Sequence, residues 1–422
     1  MNKETIAIHH GYQKDSQQTM TVPIYQTTAY KFDSAKQAAD RFTLQDLGNI
    51  YTRLTNPTSD VLEKRFAELE GGIAAIATAS GMSAIFYSII NVAEAGDNII
   101  ASNKLYGGTL TLFTHTLKRF GITVKTFDIN NAEEIEALVD DKTKAIFFES
   151  LTNPSVDIPD FEKIVEIANK HRILTMVDNT VATPYLCSPI ELGCDISIHS
   201  TSKYTSGQGL SIGGILIEGA SAKGKIVDNQ RYYHFNEPDA SYHGLVYTSL
   251  DGFPPFVLRV RLALLRDIGA TPAPFDSWLF IQGLETLALR IEKHSSNALS
   301  VAKFLSTHPK VKNVSYPLLE GDSHYEAAKK YLKGGASGLV SFEVEGLEEA
   351  KKVIDNVDIF SIVVNIGDSK SLITNPFSTT HQQCSEEELE KAGVTAGLIR
   401  LSIGLENDQD LINALEKALE LI

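Results

Sequence analysis

Between residues 73 and 217, short apolar, β-branched runs alternate with longer stretches of helical period, and this alternation most limits the folds open to the chain. A strand with one face in water alternates polar and apolar residues, whereas a strand covered on both faces is apolar almost throughout. The runs at 73–79, 98–101, 123–127, 144–149, 174–177, 195–199 and 213–217 read as strands of a parallel sheet covered by helices. The segments at 83–93, 108–120, 132–139 and 160–171 predict those helices, several of them opening on a Ser, Asn or Asp able to cap them. The predicted class is α/β with a large, mostly parallel central sheet.

A chain of 422 residues, 43% of them hydrophobic, exceeds the length at which one core stops growing, so a second unit is expected. Residues 229–274 are richer in Pro, Gly and aromatics and precede a long amphipathic stretch at 275–305, which places a boundary near 272. The tail predicts a smaller α+β domain, 273–422, with strands at 339–344 and 399–403 and a closing helix at 408–421. The large domain then spans 55–272, after an N-terminal extension, 1–54.

The formal net charge of −15 disfavours nucleic acid and acidic membrane surfaces as partners and leaves small-molecule chemistry. The N-terminal residues lack an apolar leader, and no run is long enough to cross a bilayer, so a soluble, unexported protein is expected. Cys187, Cys194 and Cys384 form no C-x-x-C pair, which indicates neither a disulfide framework nor a zinc site and fits a reducing cytoplasm. No metal site is expected.

In open α/β sheets, ligands bind at the carboxyl ends of the strands. At one such end, Ser200-Thr-Ser-Lys203 places a lysine among hydroxyls. A lysine is ordinarily a solvated surface group. Here Ser200 and Ser202 alternate so that both hydroxyls can face one side as donors to a phosphate, and a partly desolvated amine becomes a nucleophile towards carbonyls. The run 174–177 leads into Asp178, which suits either a helix cap or a carboxylate paired with the protonated ring nitrogen of pyridoxal phosphate. Ser80-Gly81-Met82 follows the first strand and opens a helix, where free N–H groups favour a phosphate, although an ordinary strand-to-helix turn has the same sequence. Tyr106, after the second strand, is either a core residue or a ring that stacks on a pyridine.

Phosphate turn, stacking ring, ring-nitrogen acid and lysine occur in that order. Together with Tyr51-Thr-Arg53, Tyr106-Gly-Gly-Thr109 and Val177-Asp-Asn-Thr180, they resemble the Cys/Met-metabolism family of pyridoxal-phosphate enzymes over nearly the whole chain. The resemblance implies a fold-type I pyridoxal-phosphate transferase with Lys203 joined to the cofactor as a Schiff base and shuttling protons at the substrate Cα and Cβ. It also implies that Tyr106 stacks on the ring and acts beside Lys203 in catalysis, and that Asp178 pairs with the ring nitrogen. Gly81, Met82, Ser200 and Ser202 would hold the phosphate, with Thr180 near it. Tyr51 and Arg53 would complete the phosphate site of a neighbouring subunit, within a homotetramer built from dimers that share active sites. Arg400 would clamp the substrate α-carboxylate, since its two-pronged guanidinium matches a carboxylate. Asn153 and Ser371 would position the substrate.

Within the family, the stretches 235–247, 261–269 and 365–372 resemble the O-acetylhomoserine sulfhydrylase subgroup, and Gly108 stands where methionine γ-lyases carry a cysteine. The implied reaction is γ-replacement on O-acylated homoserine by sulfide or a thiol, with cystathionine or methionine γ-lyase and cystathionine γ-synthase as alternatives. Two departures bear on substrate range: Asn375-Pro-Phe-Ser378 replaces the common His-Pro-Ala-Ser, and Gly207-Gln-Gly209 replaces Gly-Gly-His-Gly. A nicotinamide dehydrogenase would need a G-x-G-x-x-G turn between strand and helix, whereas Gly207, Gly209 and Gly213 have the wrong spacing and precede a strand. His9, His10 and His381 lack the spacing and carboxylates of a metal hydrolase. A protein that kept the fold and lost the chemistry would have no need of Lys203, Asp178 and Arg400 together.

Overall fold

The computed structural model describes residues 1–382 and 385–422, so Cys384 lies outside the described residues. The seven expected runs form one sheet: β1 Ala74–Thr78, β2 Asn98–Ser102, β3 Thr123–Phe127, β4 Thr143–Glu149, β5 Leu174–Asp178, β6 Ile196–Ser200 and β7 Gly214–Glu218. Their order is β1-β7-β6-β5-β4-β2-β3. Every residue of β2 and β4 is buried, which is why these runs show no polar alternation.

One strand departs from a parallel reading. β7 runs antiparallel to both of its neighbours, β1 and β6. Parallel neighbours need a long crossover, usually a helix. The chain from Ser200 to Gly214 contains only turns, so β7 comes straight back along β6. That return loop carries Lys203.

Two helices also differ from the periodicity. The stretch 108–120 is interrupted by a π-helical turn, Leu112–Thr116, between Gly107–Thr111 and Leu117–Arg119. The Thr114 hydroxyl donates to the Leu110 carbonyl at 2.9 Å and competes there with the backbone ladder. The stretch 275–305 becomes two helices, Pro274–Glu285 and Leu287–Thr307. At the break, the Arg290 guanidinium donates to the Gly283 carbonyl at 2.7 Å, occupying an acceptor that a continuous helix would use itself.

The second sheet has five strands in the order β10-β11-β12-β9-β8. They are β8 Asn313–Ser315, β9 Leu339–Glu343, β10 Ser361–Ile362, β11 Leu372–Thr374 and β12 Leu398–Ser402. Helix Asp408–Leu419 closes the chain. A single apolar cluster joins the sheets, containing Ile146, Phe148 and Val177 from the first and Val340, Ile399 and Leu401 from the second. A second cluster covers the opposite face of the large sheet, with Ile76, Phe147, Met176 and Leu216. Among the described residues, no helix is long and apolar enough to cross a membrane.

Candidate active site

The carboxyl ends of β4, β5 and β6 open into a cavity of about 440 Å³, which the segment 364–366 and Arg400 of the smaller sheet close from the other side. Gly81, Met82, Tyr106, Asn153, Asp178, Thr180, Ser200, Ser202, Lys203 and Arg400 all line it.

One end of the cavity is built from backbone. Ser80 caps the helix Gly81–Ile90, its hydroxyl accepting the Ser83 N–H at 3.0 Å. The Gly81 and Met82 amides lie in the first turn, where no intrahelical carbonyl can receive them. A Cβ on Gly81 would stand 2.7 Å from the Ser200 Cβ, and one on Gly214 would collide with the Ser80 carbonyl. Glycine at both positions therefore lets the β1 turn, the end of β6 and the start of β7 close around a hollow edged by N–H groups and hydroxyls. The Ser202 Oγ accepts the Gly213 N–H at 2.9 Å, and the Ser200 N–H donates to the Thr180 Oγ1 at 2.8 Å. Free N–H groups at a helix start, edged by hydroxyls, suit an anion such as a phosphate.

Asp178 ends β5 as the expected acid but caps no helix. Its Oδ1 accepts the Thr180 N–H at 3.0 Å and the Thr180 hydroxyl at 2.6 Å. Burial pushes its carboxyl above the usual range, against the opposing pull of these two donors. Thr180 thus orients the acid as well as the backbone of Ser200. Tyr106 precedes the helix Gly107–Thr111, and a Cβ on Gly108 would stand 2.6 Å from the Tyr106 ring, so the glycine leaves room for that ring.

The Lys203 Nζ donates to the Asn365 Oδ1 at 2.6 Å. Burial lowers the pKa of this amine, and the Arg400 charge lowers it further, which favours the neutral nucleophilic form. Arg400, on β12, is buried, and its pKa is pushed down to about 10 by that burial. Its guanidinium donates to the Asn153 Oδ1 at 3.2 Å and to the Asn365 carbonyl at 2.9 Å, while its Nε has no partner. A buried cation with a free N–H on the cavity wall is a receptor for a carboxylate.

Ser371 does not line the cavity, and neither do Tyr51 and Arg53, which were expected to serve a neighbouring subunit's site. The Ser371 hydroxyl donates to the Glu406 Oε2 at 2.9 Å and accepts the Gly404 N–H at 2.8 Å. Its N–H is also taken by the Glu406 Oε1, so the N–H and hydroxyl donors of Ser371 both go to Glu406 and brace the segment before β11. Tyr51 and Arg53 lie off this chain's cavity, with the guanidinium 5.1 Å from the tyrosine ring centre.

Two lining residues went unrecognised in the sequence. Asn365 bridges Lys203 and Arg400 across a sequence separation that no local pattern reveals. Glu149 ends β4 as Asp178 ends β5, and the two are register partners. An acid closing a hydrophobic strand was the available signal for both. Burial, and then the Asp178 charge, hold the Glu149 carboxyl well above its usual range.

Pyridoxal phosphate presents an anionic phosphate, a flat ring with a basic nitrogen, and an aldehyde. The backbone hollow, Tyr106, Asp178 and Lys203 offer one group for each, and the hollow is one that a glycine Cβ would fill. The residues present fit that cofactor.

Comparison with known proteins agrees. The family described as Cys/Met metabolism PLP-dependent enzyme matches residues 4–420. The chain is 47% identical to an O-acetyl-L-homoserine sulfhydrylase of Leptospira meyeri, over 99% of this chain and 96% of that one. It is 44% identical to a homocysteine/cysteine synthase of Kluyveromyces lactis, over 97% and 95% of the two chains. Among solved structures, it superposes with a TM-score of 0.98, at 55% identity and over 100% of both chains, on an O-acetylhomoserine (thiol)-lyase of Campylobacter jejuni that carries a pyridoxyl-lysine monophosphate.

Proposed function

Since the chain belongs to the Cys/Met-metabolism family of pyridoxal-phosphate-dependent enzymes, we propose that it is an O-acetylhomoserine sulfhydrylase. It catalyses γ-replacement, converting O-acetylhomoserine and sulfide to homocysteine and acetate, or with methanethiol to methionine. The observation that carries this reading is the placement of the half-buried Lys203 amine and the buried Arg400 guanidinium on facing walls of one cavity, linked through Asn365.

When bound, the cofactor supplies an electron sink for charge that develops at the substrate carbons. Lys203 holds it and, once released, moves protons at the substrate Cα and Cβ, a task suited to an amine whose pKa is already lowered. Arg400 receives the α-carboxylate, with Asn153 fixing the plane of the guanidinium. Gly81, Met82, Ser200 and Ser202 would hold the phosphate, and Asp178, braced by Thr180, would pair with the ring nitrogen. Tyr106 would stack on the ring. Lys203 and Arg400 are the only cations that this chain's described residues contribute to the lining, which favours an acetyl group over an acyl group bearing a second carboxylate.

Tyr51 and Arg53 serve the site of a neighbouring subunit in a homotetramer of dimers. Both lie outside this chain's cavity, Tyr51 exposed and Arg53 half-buried with its Nε unpartnered, which supports that assignment. The division into 1–54, 55–272 and 273–422 and a cytoplasmic location belong to the same reading.

The test is direct. Protein purified with pyridoxal phosphate should absorb in the visible, and Lys203→Ala should abolish turnover. O-acetylhomoserine with sulfide should yield homocysteine. A colourless active protein, or rapid keto-acid release from cystathionine or methionine with no homocysteine from the first mixture, would overturn it.

A further inference from the structure

Glu149 reaches two neighbours at once. Its Oε1 accepts the Tyr106 N–H at 2.6 Å and its Oε2 accepts the Asn153 N–H at 3.2 Å. Tyr106 follows β2 and carries the ring that lies in the cavity. Asn153 follows β4, and its own side chain accepts from Arg400. One buried carboxyl therefore sits between the wall that faces the cofactor ring and the wall that faces the substrate carboxylate.

We propose that Glu149 is a positioning residue that fixes the ring of Tyr106 and the Asn153–Arg400 clamp relative to each other through one bidentate carboxyl. The inference rests on the functional reading above. Only an ionised carboxylate at this place accepts from both backbone N–H groups through two equivalent oxygens, and those two donors oppose the burial and the Asp178 charge that raise its pKa. A glutamine has one acceptor oxygen and turns its NH₂ towards the other N–H, so one of the two walls is released. Burying a second acid beside Asp178 is costly, and purely structural packing at a strand end would not require it.

Glu149→Gln loaded with pyridoxal phosphate should keep its visible band and show a weaker visible circular dichroism per bound cofactor than the parent. Its KM for O-acetylhomoserine should rise about tenfold, the effect expected for one weakened polar contact to a charged group. In combination with Asn153→Ala, the rise in KM should match that of the larger single variant rather than the product of the two, because both changes act on the same clamp. Wild-type dichroism and KM in Glu149→Gln, with or without a fall in melting temperature, would overturn the proposal, as would multiplicative effects in the double variant. Should the glutamine variant fail to fold, Glu149→Asp keeps both acceptor oxygens but withdraws them by one methylene, and the same readouts decide. A wild-type protein that never develops the visible band would instead remove the functional reading itself.

Discussion

The Lys203 Nζ donates to the Asn365 side-chain oxygen at 2.6 Å, while the main-chain carbonyl of the same asparagine accepts from Arg400 at 2.9 Å. A neutral amide therefore supports the amine without adding charge, and burial and Arg400 are left to lower its pKa. Asn365→Asp keeps the shape and the main-chain contact but sets a carboxylate against the amine. An opposite charge favours the protonated form, so the lysine pKa should rise by about one unit or more. The neutral amine captures the cofactor aldehyde, so uptake of pyridoxal phosphate by the apoprotein at pH 8 should slow about tenfold, and its pH midpoint should move upward. An unshifted pH profile for the appearance of the visible band would sink this account of Asn365.

The large sheet was legible in the sequence because its central strands are buried on both faces and must be apolar. β8, β10 and β11 were not, since pairings of two or three residues leave no period to read. Lys203 and Asp178 stand at strand ends, where local pattern and the logic of parallel sheets point to the same place. Asn365 meets Lys203 only through the packing of one sheet against the other. Glu149 carried the same mark as Asp178 but read as the last residue of a strand. Ser371 donates its hydroxyl to Glu406, a contact that only the tertiary packing discloses.

The close approach at Gly214 yields a second prediction. A methyl group there would strike the Ser80 carbonyl, which begins the phosphate turn. Forcing an extra carbon into packed backbone costs about 1–3 kcal/mol. Gly214→Ala should melt several degrees lower, and its affinity for pyridoxal phosphate should fall at least about tenfold, since tenfold corresponds to only about 1.4 kcal/mol. Equilibrium dialysis of the apoprotein and thermal melting decide this, and unchanged affinity would show that the hollow tolerates the added carbon.

Below β5 and β6, Glu70 organises a buried polar cluster. Its Oε1 lies 2.5 Å from the His199 Nε2 and accepts from the Asn179 Nδ2 at 2.8 Å and from the Ser197 hydroxyl at 3.1 Å. Removing the acceptor strands several buried groups at once, which costs about 3–5 kcal/mol when one partner of a buried pair is deleted. Glu70→Ala should show that loss in urea unfolding. Glu70→Gln, which retains an oxygen for Asn179 and Ser197, should lose clearly less. Equal losses in the two variants would mean that volume, not polarity, sets the cost.

At the far end of β7 from the cavity, Glu218 is buried with one carboxyl oxygen unpartnered, while the other accepts the Val257 N–H at 2.8 Å. Burial pushes its pKa up to about 8, against the lowering effect of bonds from Val257 and Phe256 and of the Lys223 charge, with Asp195 adding slightly to the rise. A carboxyl with a raised folded pKa supports folding fully below its unfolded pKa of about 4.3, and that support is lost as pH rises through the folded value. Between roughly pH 4.5 and 8 the unfolded chain can ionise this group while the folded protein resists, so the parent loses stability across that window. Glu218→Gln keeps an acceptor for Val257 and removes the titration. Its stability relative to the parent should therefore climb with pH, from near parity at pH 5 to an advantage on the order of a few kcal/mol at pH 8. Turnover should not change, because Gly214, and not Glu218, is the end of β7 beside Ser200. Denaturant unfolding of both proteins at the two pH values is the check, and a difference independent of pH would show that Glu218 stays ionised inside the fold.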